Sequence, residues 1–153
     1  LAMGTRIHVL DIIDEFNNAV AVLDAHQSAN GQSVIASLEP FARIFAHNRT
    51  VKIRVDNGKE FDNEDVILFC LGYGIILDFV EKGCPWENAF VERIIRTVTE
   101  ECLNLFWIND IQHAQKMLTE YKHEFNRREN MGLDYCTPLE HLGKFYAVGR
   151  SSM

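Results

Sequence analysis

Asp56 and Glu92 are the two side chains of this chain whose type and spacing point most directly to metal chemistry. Asp56 ends a strand-like run, Val51-Lys52-Ile53-Arg54-Val55, and opens the segment Asp56-Asn57-Gly58-Lys59-Glu60-Phe61. Glu92 sits in Asn88-Ala89-Phe90-Val91-Glu92-Arg93, within a helix-like run from Asn88 to Leu103. Thirty-five residues lie between the two acids. A strand end and a helix can bring two carboxylates together around Mg²⁺, a hard ion that takes oxygen ligands and usually keeps several waters. Two such ions about 4 Å apart stabilise both the attacking and the leaving oxygen of a phosphodiester displacement. That chemistry normally needs one more carboxylate to bridge the metals. Taken alone, Asp-Asn-Gly also spells an ordinary turn with a left-handed glycine. Glu60 and Asp62 read as solvated loop acids or a helix cap, with Glu60 a possible supporting group.

The elements that must position these acids follow from local signals. Ile7 to Ile13 reads as a buried strand and Ala19 to Leu23 as its hairpin partner, across a turn near Asn17-Asn18. Ser28 or Asn30 caps a helix running to about Phe45, with Val34, Leu38, Phe41 and Phe45 on one face. Lys52 to Val55 is a strand, and Asn63 caps a short helix through Cys70 that Gly72 or Gly74 ends. A strand from Ile75 to Val80 is followed by helices at about Trp86 to Leu103 and Asp110 to Asn126. In the first of these, Val91, Ile94, Ile95, Val98 and Cys102 form a core-facing stripe. Glu92 lies about 100° from Val91, at the stripe's edge, with Asn88 and Arg96 one turn to either side. Asn88 is placed to orient a metal-bound water or a phosphate. Arg96 is more simply read as an i,i+4 partner of Glu92 than as a DNA contact.

Composition fits a single domain. With 153 residues, 47% of them hydrophobic, the chain can bury a sizeable core. No apolar stretch approaches the roughly 20 residues that span a bilayer, and no signal-peptide pattern opens the chain. Cys70, Cys84, Cys102 and Cys136 are widely spaced, without Cys-x-x-Cys, and the six histidines complete no zinc pattern with them. They read as reduced, buried thiols of a cytosolic protein. The formal charge of −7 argues against a strong autonomous DNA-binding domain, because phosphate contacts need Lys or Arg. Arg93, Arg96, Lys122, Arg127 and Arg128 nevertheless gather in the C-terminal half, where a solvated salt-bridged face and a DNA-contacting face stay equally open. Trp86 either packs or stacks on an unpaired base.

Five segments in order carry a family resemblance. Ile12-Ile13-Asp14-Glu15-Phe16 looks like an apolar strand ending in D-x-F, and Asp56 to Phe61 like D-N-G-P-E-F with Lys59 at the proline. Gly83 to Arg93 looks like G-x-P-x-x-N-A-F-x-E-R. Glu101-Cys102-Leu103-Asn104 and Tyr135-Cys136-Thr137-Pro138-Leu139-Glu140 match later E-C-L-N and Y-x-T-P-x-E segments. Together they resemble the catalytic core of retroviral-integrase-like transposases of bacterial insertion sequences. The resemblance implies an α/β, ribonuclease H-like mixed sheet flanked by helices over residues 1–145, with 146–153 an irregular tail. It implies Asp56 and Glu92 as catalytic metal ligands for Mg²⁺ or Mn²⁺, Asn88 in support, and Arg93, Arg96 and Trp86 on DNA. A cytoplasmic, bacterial setting and a possible homo-oligomer follow from the same resemblance.

The departures are as informative. The family's first aspartate lies on a strand preceding the Ile7 strand, and Leu1 to Thr5 looks like the turn after it, so that strand is expected to be missing here. Asn18, Ile94-Ile95-Arg96 and Arg128-Glu129-Asn130 also replace usual family residues. Asp11 and Asp14 are the candidate surrogates for the missing acid, but their odd separation puts them on opposite faces of a regular strand. The missing strand would be central, between the Ile7 and Lys52 strands. Its loss predicts a perturbed four-stranded sheet with backbone groups left to satisfy, by direct pairing, by a strand from another chain, or at the expense of stability. The expected function is metal-dependent DNA cleavage and strand transfer, inactive in this chain alone. The alternatives are a catalytically dead DNA-binding or regulatory remnant and, more weakly, a ribonuclease H-like nuclease acting on RNA–DNA hybrids.

Overall fold

Helix boundaries fall where side chains can replace the missing backbone partners of a first or last turn. A computed structural model describes residues 6–46, 50–81, 89–104, 108–141 and 144. Asn30 accepts from Ser33 N and opens α1, Gly31–Phe41, which widens into a π-helical turn, Ala42–Ala46, just after Pro40. Asn63 accepts from Asp65 N and opens α2, Glu64–Tyr73, which Gly74 ends in the left-handed conformation. Helix α3 spans Ala89–Val98 and continues as a π-helical turn, Thr99–Leu103. Asp110 caps α4, Ile111–Phe125, through His113 N. Of the expected caps, Asn30 rather than Ser28 acts at α1 and Asn63 acts at α2, while Asp110, expected only as the approximate start of its helix, caps α4 as well.

Strand β1, His8–Ile13, pairs antiparallel with β2, Val20–His26, and the hairpin between them holds Asn18 at φ 59°. Strand β3, Val51–Val55, pairs parallel with β4, Ile75–Phe79, after the crossover through α2. The mixed α/β character agrees with expectation. The sheet itself differs from the expected four-stranded one: among the described residues it is two separate two-stranded sheets, because β1 and β3 do not pair.

Two hydrophobic clusters hold the molecule together. One joins α1, α2, β3, β4 and Val22 of β2 around Val34, Leu38 and Val66. The other joins β2 to α3 and α4 around Leu23, Val98 and Leu118. Strand β2 serves both because its successive side chains alternate between faces, Val22 to the first cluster and Leu23 to the second. Helix α4 also closes the outer edge of β2 with side chains. Asn126 accepts from Val20 N at 2.8 Å and donates to Val20 O at 2.9 Å. Gln115 accepts from Ala25 N at 2.7 Å, and Lys122 reaches Ala21 O at 3.4 Å.

Cys70, Cys102 and Cys136 are buried free thiols, as expected, and burial pushes the Cys70 thiol up to about 11. Among the described residues no helix is long and apolar enough to cross a membrane. The tail at 146–153, Cys84, Trp86 and Asn88 lie outside the described residues.

Candidate active site

The gap between the two sheets is a cleft of about 680 Å³. All of β1 and all of β3 line it, Val34, Leu38 and Phe41 of α1 form its apolar side, and Val91 and Ile95 of α3 also face it. Arg54 of β3 reaches Glu15, just past β1, at 3.0 Å, tying the two sheets at one end.

Asp56 lies exposed at the C-terminal end of β3, where the strand delivers it to the cleft. Its Oδ1 accepts from Gly58 N at 3.0 Å, a local turn contact, but Gly58 does not take the left-handed conformation that Asp-Asn-Gly suggested. Asn57 donates to Val80 O at 2.8 Å and ties this turn to the end of β4. Glu60 also lines the cleft, and its carboxylate packs so close to Gly58 that an added Cβ would meet it at 2.8 Å. Glycine at 58 thus permits the tight approach of that acid to the Asp56 turn.

Glu92 lies exposed in the first turn of α3, one residue from the cleft-lining Val91. The stripe expected on this helix is largely present: Ile94, Val98 and Cys102 are buried, whereas Ile95 is half-exposed toward the cleft. The i,i+4 pairing of Glu92 with Arg96 does not form among the described residues. Arg93 instead stacks over the Phe90 ring, 5.5 Å from its centroid. Strand end and helix thus bring Asp56 and the Glu92 turn to one cleft, yet no three His, Cys, Asp or Glu side chains form a metal-holding group among the described residues. Asp56 lines the cleft, whereas Glu92 itself is not among its lining residues and reaches it only through its neighbours Val91 and Ile95.

Asp11 is the residue whose environment the sequence underdetermined. It projects from the middle of β1 on the face opposite Leu10 and Ile12, and its Oδ2 is buried without a hydrogen-bond partner. Burial pushes its carboxyl up to about 6; a hydrogen bond from its own backbone amide works against this, and the nearby charge of Asp56 adds to it. Asp14 sits exposed at the strand's end and accepts from Phe16 N, a local turn contact. Asp11 is thus electrostatically coupled to Asp56.

The basic residues of the C-terminal half are mostly committed elsewhere. Arg128 pairs with Glu101 and, at 2.7 Å, with Glu124, and it lies over the Tyr121 ring. Tyr121 donates to the same Glu101 carboxylate at 3.1 Å. Glu101 and Cys102 of the E-C-L-N segment are therefore structural, fastening α3 to α4, and Arg128 is not a free DNA-facing cation.

Comparison with known proteins agrees with this arrangement. The family model described as "Integrase core domain" matches residues 73–138, a span that includes Glu92 and begins after Asp56. An uncharacterized 31.7 kDa protein of insertion element IS407 from Burkholderia multivorans is 26% identical over 149 residues, covering 97% of this chain and 53% of its own length. An uncharacterized 39.2 kDa protein of insertion element IS476 from Xanthomonas euvesicatoria is 28% identical over 127 residues, covering 83% of this chain and 36% of its own. The putative transposase InsK of insertion sequence element IS150 from Escherichia coli is 26% identical over 145 residues, covering 94% and 51%. The chain thus spans about half the length, or less, of these curated relatives. A chain of the simian T-cell lymphotropic virus intasome, solved with PP2A regulatory subunit B56 gamma, shares the fold with a TM-score of 0.66 at 19% identity, over 89% of this chain and 48% of that one.

The architecture is that of a ribonuclease H-like domain. Residues 73–138 match the integrase-core family model, and most of the chain is similar to proteins of bacterial insertion sequences, a putative transposase among them.

Proposed function

We propose that this chain is the integrase core of an insertion-sequence transposase, in which Asp56 and Glu92 are ligands for Mg²⁺ or Mn²⁺ and DNA is the substrate. The observation that carries this reading is the convergence on one cleft of Asp56, at the end of β3, and the α3 turn bearing Glu92. When bound, a metal pair supplies charge stabilisation at both oxygens of an in-line phosphodiester displacement. Asp56 offers Oδ2 while its turn fixes the other oxygen on Gly58 N. Glu92 offers a carboxylate held by a helix whose buried stripe sets its direction. Asn88 and Trp86, which lie outside the described residues, are assigned by their motif to support of the metal and to DNA contact, and Arg93 and Arg96 of α3 to the DNA surface.

With no group of three acids able to hold a metal among the described residues, this stretch of chain by itself binds metal weakly and does not cleave DNA. Manganese binding followed by electron paramagnetic resonance, beside cleavage of a branched DNA carrying transposon-like ends, tests both parts. Weak binding that Asp56→Asn and Glu92→Gln each reduce supports the ligand assignment. Binding indifferent to both substitutions refutes it. Metal-dependent cleavage that Glu92→Gln abolishes would show that the chain completes its own site, and the inactivity would be wrong.

A second reading is a catalytically dead regulator that joins mixed assemblies with an intact transposase. The open strand edges along the cleft favour it. Inhibition of an intact relative's strand transfer by added chain separates it from a solitary enzyme core. A ribonuclease H-like nuclease is the weaker third reading, and cleavage of an RNA–DNA hybrid in preference to duplex DNA would promote it.

A further inference from the structure

Helix α2 is apolar on every side, and only one side is covered. Six consecutive residues, Val66-Ile67-Leu68-Phe69-Cys70-Leu71, wind through about one and a half turns without a charged side chain. A helix that is apolar all round belongs in an interior, since a surface helix turns polar residues outward. Val66 and Cys70 are buried in the first cluster, and Phe69 and Tyr73 pack against it. Ile67, Leu68 and Leu71 face away and are 39%, 59% and 69% exposed. Ile44, in the π-helical turn that packs beside α2, adds a fourth aliphatic side chain at 70%. Apolar patches beyond roughly a few hundred Å² are uncommon on a monomer and mark interaction sites.

The ends and the surface of the helix define the occupant. Glu64 and Asp65 in its first turn are exposed and make no ion pair among the described residues. At the other end the Tyr73 hydroxyl lies beside the exposed Arg43 guanidinium, which also pairs with Glu39. Gly72 sits on the bare face, where an added Cβ would meet nothing within 4 Å, and its φ is not left-handed. Neither packing nor backbone conformation within the chain calls for glycine there. An acidic end, a basic end and a gap in one apolar stripe fit a second copy of the same helix laid antiparallel. Leu68 then meets the other copy's Leu71, Ile67 fills the gap over the other copy's Gly72, and each acidic first turn lies toward the other copy's Arg43. A parallel arrangement would set acids against acids.

We propose that two copies of this chain associate through the bare face of α2, antiparallel about a two-fold axis, with Ile44, Ile67, Leu68 and Leu71 as the apolar centre. Such an interface is isologous, so each contact occurs twice. The patch is small beside the roughly 800 Å² per partner of a standard interface, so the dimer is weak and forms at micromolar concentration. No residue of α2 lines the cleft, and dimerisation leaves the cleft open. This inference invokes neither metal nor DNA and stands apart from the catalytic reading.

Sedimentation equilibrium of the full 153-residue chain, from about 1 to about 500 µM, tests it. The average mass is expected to rise from that of one chain to that of two and no further. Leu68→Glu, at an exposed position, is expected to weaken the dimer by about thirtyfold, the loss of a central contact, while the unfolding midpoint of the dilute chain stays unchanged. Gly72→Leu separates fitted packing from adhesion. It adds apolar surface, so general stickiness would tighten association, whereas filling the gap is expected to weaken it by about tenfold. Arg43→Glu is expected to weaken it too, by less at high salt. A chain that stays monomeric throughout overturns the proposal. So does a mass that climbs past two chains, an unchanged dimer in Leu68→Glu, or tighter association in Gly72→Leu.

Discussion

The two sides of the β1–β2 hairpin solve the same problem in opposite ways. The outer edge of β2 is closed by α4, whose Asn126 amide bonds both the N–H and the C=O of Val20 and whose Gln115 bonds Ala25 N. The free edge of β1 faces a cleft, and Asp11 on that strand has one buried oxygen with no hydrogen-bond partner. The first side has the construction of a folding core, with α4 bound to β2 through Leu118 and Ala114 beneath the hydrogen bonds. The second carries the features that cost stability: open backbone, a buried charge and apolar groups around a void. The contrast teaches that this half of the molecule draws its stability from the α4 side.

The sharpest way to break the contrast is to remove one leucine from each side. Leu118 is fully buried between α4 and β2, and Leu118→Ala is expected to cost about 3–4 kcal/mol, because the packed surroundings cannot collapse into the hole. Leu10 borders the existing cleft, so Leu10→Ala should cost only about 1 kcal/mol, little of it a cavity cost. Urea unfolding of the two variants checks the ratio. Equal losses would mean that the cleft side is packed as tightly as the α4 side.

Asp11 should move in the opposite direction. Its folded-state carboxyl titrates at about 6 against an ordinary value of 3.8, so the folded chain holds an extra proton between those values. Stability therefore falls as pH rises from about 4 to about 6 and, for this group, stays flat above that. Asp11→Asn removes the charge and should stabilise the chain by about 2–3 kcal/mol at pH 7 and hardly at all at pH 4. Thermal unfolding at the two pH values measures the difference. A variant less stable than the parent at pH 7 would show that the carboxylate has a partner after all.

Which of these features could be read from the chain depends on how local their causes are. The cap at Asn63 was legible, and the cap at Asn30 and the stop at Gly74 were legible to within one alternative each, Ser28 and Gly72, because each depends on a few neighbouring residues. The register of β1 on β2 was legible only in part: β2 runs on to His26, beyond the expected Leu23, because its later residues are held by β1 and by Gln115 of α4. The break between β1 and β3 was anticipated only as a perturbed sheet, since strand neighbours are set by long-range packing. Asp56 and Glu92 could be singled out as candidates from their spacing and surrounding motifs. The isolation of Asp11 could not, because desolvation depends on helices far away in sequence. The commitment of Arg128 to Glu101 and Glu124 was equally hidden, one partner lying 27 residues away.

Asn126 tests whether the closed edge matters as its geometry implies. Replacing it with alanine leaves the N–H and C=O of Val20 without their partners in a half-buried setting. A loss of about 2 kcal/mol is expected, since an unsatisfied buried group costs roughly 1–3 kcal/mol. Exchange of the Val20 amide should accelerate more than that of Leu23. If Asn126→Ala exchanges like the parent, water can replace α4 at this edge, and the two sides of the hairpin differ less than their bonding suggests.

Arg128 offers the smallest effect and the finest discrimination. Its guanidinium pairs with Glu101 and Glu124, but all three side chains are substantially exposed, so each pair contributes only a few tenths to about 1 kcal/mol. Arg128→Ala should therefore lower stability by at most about 1 kcal/mol, with part of the effect screened by salt. Hydrogen bonding from Arg128 holds the Glu101 carboxyl below its usual range, so its contribution is present above about pH 4.5 and is lost as the pH falls through the depressed value. DNA affinity separates this structural role from the alternative that the sequence left open. A phosphate-binding arginine would reduce the slope of log affinity against log salt by about one when removed. Because its guanidinium charge is already paired with Glu101 and Glu124 inside the chain, Arg128→Ala is expected to leave that slope unchanged while the unfolding midpoint shifts.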